Sequence, residues 1–228
     1  MRFSKWHAHG NVYLLTDERG LTPERARVEV GDADGIVEVV SATGNEADVV
    51  IWNPDGSTAE LSGNGTRIAA RWLADRTGAQ EVHIRVGPRE TIARVKDGDV
   101  EQELGEVAVA KPEHIAGFDV IVVDIGNPHA VVIGDPNDLP RIGPLLEAHA
   151  RFPNRTNVQV ARIDGPGEVT ARVWERGVGE TQSSGTSAVA VAAATHGEGD
   201  VLVHFPGGDL RVRLEGGRAT LTGPAERF

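Results

Sequence analysis

Residues 174 to 194 read W-E-R-G-V-G-E-T-Q-S-S-G-T-S-A-V-A-V-A-A-A, and the folding of this stretch decides the architecture. Just upstream, E-V-T-A-R-V-W (168–174) alternates polar and apolar side chains as a half-buried strand does, until Gly177 and Gly179 break the period. The chain turns there. From Ser187 the run A-V-A-V-A-A-A is apolar on every side, which suits a helix enclosed by protein better than one lying on a surface. Its amino end is therefore expected in the interior. Ser184, Gly185 and Thr186 fall in the first turn, where backbone N–H groups lack helical partners and the helix dipole favours an anion. Taken alone, a Ser-x-Thr at a helix start is an N-cap; its recurrence elsewhere in the chain turns it into a candidate cradle for a carboxylate or phosphate.

That recurrence is W-N-P-D-G-S-T-A-E-L-S-G-N-G-T-R-I-A-A, from Trp52 to Ala70. Trp52 precedes Ser62 by ten residues and Trp174 precedes Ser184 by ten, so like strand, turn and helix units lie 122 positions apart. A second echo, H-G-N at 9–11 and G-N-P-H at 126–129, sets Asn11 and Asn127 116 positions apart. The repeat predicts two similar lobes, 1–112 and 113–228, divided at Lys111-Pro112, with the last strand free to cross back to the N-terminal lobe. Packing about a pseudo-twofold axis would bring the two helix starts to one shared cleft.

Composition narrows the partners. With 23 basic against 34 acidic residues the formal charge is −11, and no basic patch is visible, so a small molecule is expected rather than nucleic acid. No apolar run reaches the roughly 18 residues of a membrane span, and the start M-R-F-S-K-W-H lacks the apolar core of a signal peptide. A cytoplasmic protein with no membrane partner is the expectation. Cysteine is absent, which excludes disulfides, thiolate metal sites and thiol nucleophiles for the chain as written. His7 and His9 are expected on one strand face but lack further ligands nearby, so no metal is assigned.

Helices are expected at 22–30, with Thr22 as cap and Pro23 at the first position, at 66–77 closed by Gly78, and near 142–150. Short alternating segments between them read as strands, including 36–40, 47–52, 119–125, 158–163, 201–205 and 210–214.

Six segments in order, H-x-x-G-N, N-x-D-G-S with S-G-N-G-T-R, G-N-P-H, F-P-N-R-T-N, W-E-R-G-x-G-E-T-x-x-x-G-T and P-G-G, make the chain resemble the diaminopimelate epimerase family over nearly its whole length. The resemblance implies an α/β (α+β) fold of two pseudo-symmetric lobes, each a mainly antiparallel sheet wrapped around a central helix, with the active site between them. It also implies a homodimer and a cofactor-independent isomerase of lysine biosynthesis that needs no pyridoxal phosphate. Such an enzyme interconverts LL- and meso-diaminopimelate by two-base proton transfer at the α-carbon. In the family two cysteines face each other across that carbon. Their positions here are Ser62 and Ser184.

A free thiol ionises near pKa ~8.5 and more easily at a helix start. An aliphatic hydroxyl needs another group to take its proton. The resemblance puts His129 and Glu175 beside the thiol positions as helpers. It puts Gly63, Asn64, Gly185 and Thr186 on the reacting α-carboxylate through backbone N–H groups, and Asn11, Asn53, Asn157, Glu175 and Arg176 on the distal amino and carboxylate groups. Activity is expected to be strongly reduced or absent, with ligand binding retained. The segment Thr22 to Asp34 is shorter than the family helix, and Gly35 stands where a polar residue is frequent. The serines fit either deliberate Cys→Ser replacement or a relative that lacks thiols. A non-catalytic amino-acid-binding relative and a racemase or dehydratase acting on another amino acid are the alternative functions.

Overall fold

The computed structural model describes all 228 residues. They form two compact units, Met1–Glu103 with Thr222–Phe228, and Leu104–Leu221. The chain passes between units twice, inside the strands Asp99–Glu106 and Arg218–Pro224. Lys111-Pro112 therefore falls within the second unit. The first crossing is made by continuous strand, where no linker composition could mark it.

In the first unit, Ser4–Ala8 pairs antiparallel with Asn11–Thr16, which pairs parallel with Gly35–Thr43. That strand runs antiparallel to Glu46–Trp52, which is parallel to Glu81–Val86, itself antiparallel to Arg89–Lys96. Parallel neighbours need a crossover, and helices α1 (Pro23–Glu29) and α2 (Gly63–Thr77) supply the two. The second unit repeats the scheme with the same senses. Phe118–Asp124, Pro128–Ile133, Asn157–Gly165, Glu168–Glu175, Gly199–Phe205 and Gly208–Glu215 follow one another as antiparallel, parallel, antiparallel, parallel and antiparallel neighbours. Its crossovers are α3 (Leu139–Glu147) and α4 (Gly185–Thr195). This shared order is the structural form of the sequence repeat.

The central helices fill the cores. Every residue of α4 from Gly185 to Ala193 is buried, and Ala188 through Ala193 pack with Val123, Val131, Ala171, Val173 and Leu210 in one cluster. Small side chains all round the helix let sheet approach it from several directions, so no polar face is needed. On α2, Ile68, Ala69, Ala70, Leu73 and Ala74 pack on Val37, Val49, Ile51, Val82 and Ile84. Gly78 closes α2 in the left-handed conformation, φ 74°.

Two helix starts differ from the sequence expectation. α2 begins at Gly63, ahead of Thr66, because the Ser62 side chain caps it and outweighs the weak helix propensity of glycine. α4 begins at Gly185, in the first turn where the sequence placed Ser184, Gly185 and Thr186, although Ser184 makes no side-chain cap bond. α3 begins at Leu139 rather than Ile142. A 3-10 turn, Pro136–Asp138, leads directly into it, capped by Asp135, whose Oδ1 accepts from the Asn137 N–H at 2.9 Å. His9 also departs from expectation. The first strand ends at Ala8 and His9 sits in the following turn with φ 47°, so the two histidines do not share a strand face. No helix is long and apolar enough to cross a membrane.

Candidate functional site

In the first unit the site is built on the start of α2. Ser62 is extended (φ −135°, ψ 113°) and its Oγ accepts the Gly65 N–H at 3.1 Å. The Tyr13 hydroxyl lies 3.3 Å from the same Oγ. Behind the turn, the Gly63 carbonyl accepts from Arg67 Nη1 at 3.1 Å and from Gln102 Nε2 at 2.9 Å. In a trans peptide the carbonyl of one residue and the N–H of the next point oppositely. Locking the Gly63 carbonyl inward therefore aims the Asn64 N–H outward from the helix start, as anion binding requires. Thr66 Oγ1 lies 2.8 Å from both the Ser62 carbonyl and Gln102 Oε1, tying the cap to the strand beneath.

Arg67 is fully buried. Its Nη2 donates to Asn64 Oδ1 at 2.8 Å and its Nε to the Pro224 carbonyl at 3.4 Å. Each hydrogen bond it makes ends on an uncharged oxygen, and burial lowers its pKa to about 10. Asn11 is buried, with Nδ2 on the Ala8 carbonyl at 3.4 Å. Asn53 holds its own turn, donating from Nδ2 to Ser57 Oγ at 2.9 Å.

In the second unit Ser184 has the same extended backbone (φ −149°, ψ 128°) and is 4% exposed, but its side chain makes no cap bond. Gly185, Thr186 and Ser187 follow it, all buried. Ser187 Oγ accepts from Gln159 Nε2 at 2.9 Å, and the same amide nitrogen lies 3.0 Å from His129 Nδ1. An amide N–H facing Nδ1 places the imidazole proton on Nε2, which lies 2.9 Å from Asn127 Oδ1. His129 is fully buried, and burial, with the nearby positive charge of Arg176, lowers its pKa to about 3. Both ring nitrogens are thus engaged, and the ring makes no hydrogen bond to Ser184.

Asn157 links two of the motifs: Nδ2 donates to the Pro128 carbonyl at 3.1 Å and Oδ1 accepts the Arg176 N–H at 3.0 Å. Glu175 Oε1 accepts from Thr181 Oγ1 at 2.6 Å. The turn that carries Glu175 and Arg176 is held from below by Glu147, at the end of α3. Its Oε2 accepts Trp174 Nε1 at 2.8 Å, its Oε1 accepts the Gly177 N–H at 2.7 Å, and Arg155 Nη2 stands 3.5 Å away. The first unit holds its tryptophan in like manner. Trp52 Nε1 donates to the buried Glu38 Oε2 at 2.9 Å, while Glu38 Oε1 accepts the Gly20 N–H at 2.7 Å.

The sequence motifs therefore gather at two helix starts, with Ser62, Gly63 and Asn64 at one and Ser184, Gly185 and Thr186 at the other. Tyr13, Arg67, Gln102, Glu147 and Gln159 were not singled out by the sequence. A signal existed for three: Tyr13 follows Asn11 by two on an alternating strand and so shares its face, and Gln102 and Gln159 are polar residues at buried strand positions. No group of three or more His, Cys, Asp or Glu side chains is arranged to hold a metal ion. A separate cavity of about 360 Å³ in the first unit is lined by Arg94, Lys96, Asp97, Asp99, Glu101 and Thr222, none of them a candidate residue.

Two units of one design, each with a buried helix opened by an extended serine, have the fold of epimerase, phenazine biosynthesis and proline racemase structures. Solved structures with this fold include a hydroxyproline epimerase from Agrobacterium vitis, at TM-score 0.68 and 14% identity over 99% of this chain and 88% of that one. A phenazine biosynthesis protein of the PhzF family from Bacillus anthracis aligns at TM-score 0.75 and 13% identity, covering 99% and 96%. In sequence, a diaminopimelate epimerase from Synechocystis sp. is 35% identical over 273 aligned positions, covering 100% of this chain and 96% of that protein. The family model for diaminopimelate epimerase matches residues 121–228. The chain belongs to the diaminopimelate epimerase family, whose members are isomerases. Its 228 residues against 273 aligned positions mean that the Synechocystis protein has segments this chain lacks.

Proposed function

We propose that the chain is a cofactor-independent epimerase of the diaminopimelate type, acting between the LL and meso forms, and that Ser62 and Ser184 in place of the two thiols leave it strongly impaired. The observation that carries this reading is the pair of like helix starts. Each is an extended serine followed by glycine and a buried first turn, at the positions where the family resemblance puts the acid and the base. First-turn N–H groups on an α-carboxylate would favour the charge that develops as the α-proton leaves. Glu175 and Arg176, on the turn held by Asn157 and Glu147, suit a distal ammonium and carboxylate. Asn11, Asn53 and Asn157 flank those groups in the same reading.

The impairment follows from proton affinity. A serine hydroxyl takes an α-proton only if another base takes its own. Of the two helpers the resemblance names, His129 has its ring nitrogens facing Gln159 and Asn127, and Glu175 accepts from Thr181 Oγ1. That observation also favours the second reading, an amino-acid-binding relative without chemistry. The test is α-proton exchange of diaminopimelate in deuterated water, by this chain and by a Ser62→Cys, Ser184→Cys double variant. Fast exchange and epimerisation in the double variant are expected. Binding without exchange in the double variant would establish the binding-protein reading, and no binding to either would refute the substrate assignment.

A further inference from the structure

We propose that Tyr13 is the proton acceptor behind Ser62, so that the chain as its sequence stands keeps a one-sided device for exchanging an α-proton. The proposal rests on the substrate reading above for the identity of the proton donor, and on the geometry of the first unit for the device itself.

Tyr13 is the chain's single tyrosine and is 9% exposed. Its ring lies over Gly35, where an added Cβ would meet Tyr13 Cε1 at 2.7 Å and the Trp52 carbonyl oxygen at 2.8 Å. Glycine at that position is what admits the ring, and the ring's seat carries the hydroxyl to 3.3 Å from Ser62 Oγ. The smaller sequence departure at Gly35 and the serine at 62 thus belong to one arrangement. Ser62 Oγ already accepts the Gly65 N–H, so its own proton is available to a neighbouring oxygen. Arg67 supplies the charge. It is buried, its hydrogen bonds all end on uncharged oxygens, and its positive charge is felt by Tyr13 and by Asp99.

The step balances without a further reactant. With Tyr13 as phenolate, Ser62 Oγ takes the α-proton while its own proton passes to Tyr13 Oη. The electron pair of the broken C–H bond stays on the substrate, delocalised into the carboxylate at the helix start. Reversal through the same oxygen, after Tyr13 has exchanged with solvent, returns a deuteron to the same face. The relay needs no free alkoxide. On the second unit Ser184 makes no cap bond, His129 faces Gln159 and Asn127, and Glu175 accepts from Thr181, so no relay matching Tyr13–Ser62 stands there. Exchange with retained configuration, rather than epimerisation, is the product of such one-sidedness.

Two measurements test this. In deuterated water the unaltered chain, given LL- and meso-diaminopimelate separately, is expected to exchange α-protons of one configuration only. The rate should rise about tenfold per pH unit below the tyrosine midpoint and fall by about 100-fold in Tyr13→Phe. Calorimetric affinity for diaminopimelate should stay within about twofold, which separates relay from structure. Equal rates in Tyr13→Phe, or binding by the unaltered chain without exchange, would overturn the proposal. If diaminopimelate fails to bind, the substrate reading falls, and the device is judged without ligand. The ultraviolet titration of the lone tyrosine should then shift to higher pH in Arg67→Gln and in Ser62→Ala, which remove the cation and the donor. Should either variant fail to fold, the other carries the measurement. A midpoint unmoved in every folded variant also overturns the proposal.

Discussion

Glu147 is the residue whose removal tests most directly how the second unit holds its functional turn. Its two carboxylate oxygens accept two N–H donors, Trp174 Nε1 at 2.8 Å and Gly177 N at 2.7 Å, in a side chain only 7% exposed. In Glu147→Gln one oxygen becomes an NH₂ group, and whichever way the amide lies, a donor meets a donor. The cost of leaving a buried donor unpaired is about 1–3 kcal/mol. The Arg155 contact at 3.5 Å adds little, since the Arg155 side chain is 54% exposed. A loss of about 2 kcal/mol corresponds to a Tm lower by roughly 4–8 °C for a chain of this size. A double-mutant cycle with Trp174→Phe gives the sharper measurement, because phenylalanine removes one of the two donors and relieves the conflict. The double variant should therefore be less destabilised than the sum of the singles by about 1 kcal/mol. Ligand binding should weaken in Glu147→Gln, since the turn it releases carries Glu175 and Arg176. Strict additivity in the cycle, with an unchanged Tm for Glu147→Gln, would refute the clamp.

Two further outcomes follow from the geometry. Gly35→Ala sets a Cβ against the Trp52 carbonyl oxygen as well as the Tyr13 ring, and backbone cannot yield as a side chain can, so a loss of about 1–3 kcal/mol is expected by chemical denaturation. His129 has a folded-state pKa of about 3 against an ordinary 6.5, so between those values the unfolded chain binds a proton that the folded chain does not. Its contribution is fully present above pH 6.5 and is lost as pH falls toward 3, at up to ~1.4 kcal/mol per pH unit. Stability measured against pH should lose part of that slope in His129→Asn, and an unchanged slope would mean that the imidazole is reached by water.

The fold was legible because its two halves repeat. Trp52 with Ser62 and Trp174 with Ser184 give the same ten-residue interval, and that interval spans the same strand end, turn and helix start in each unit. The apolar run after Ser187 marked α4 as enclosed, since no residue pattern other than complete burial explains alanine and valine on every face. The start of α2 was read late because glycine at 63 scores against a helix, while the cap that overrides it is a matter of backbone angle. The return of the last strand to the first unit was anticipated, but the first crossing, at Glu103–Leu104 rather than Lys111-Pro112, was not legible, for it lies inside an ordinary strand.

The interior polar residues were the least readable part of the site, and the reason is that their partners are distant in sequence. Arg67 looks like one charge on a helix surface, yet it is buried on oxygens of Gly63, Asn64 and Pro224, the last of them 157 residues away. Gln159 reaches both His129 and Ser187, and no local pattern links those three. These contacts also separate the two serines, which the sequence presents as equivalents. Ser62 is bonded to its own helix and lies beside a phenol. Ser184 stands in an equal backbone without a cap bond, and His129, one of the two helpers the resemblance names, is neutral and turned to an amide. Restoring cysteine at 184 alone should therefore change the chemistry more than restoring it at 62 alone, because a thiol ionises without a helper, whereas the Ser62 hydroxyl already has the Tyr13 hydroxyl beside it.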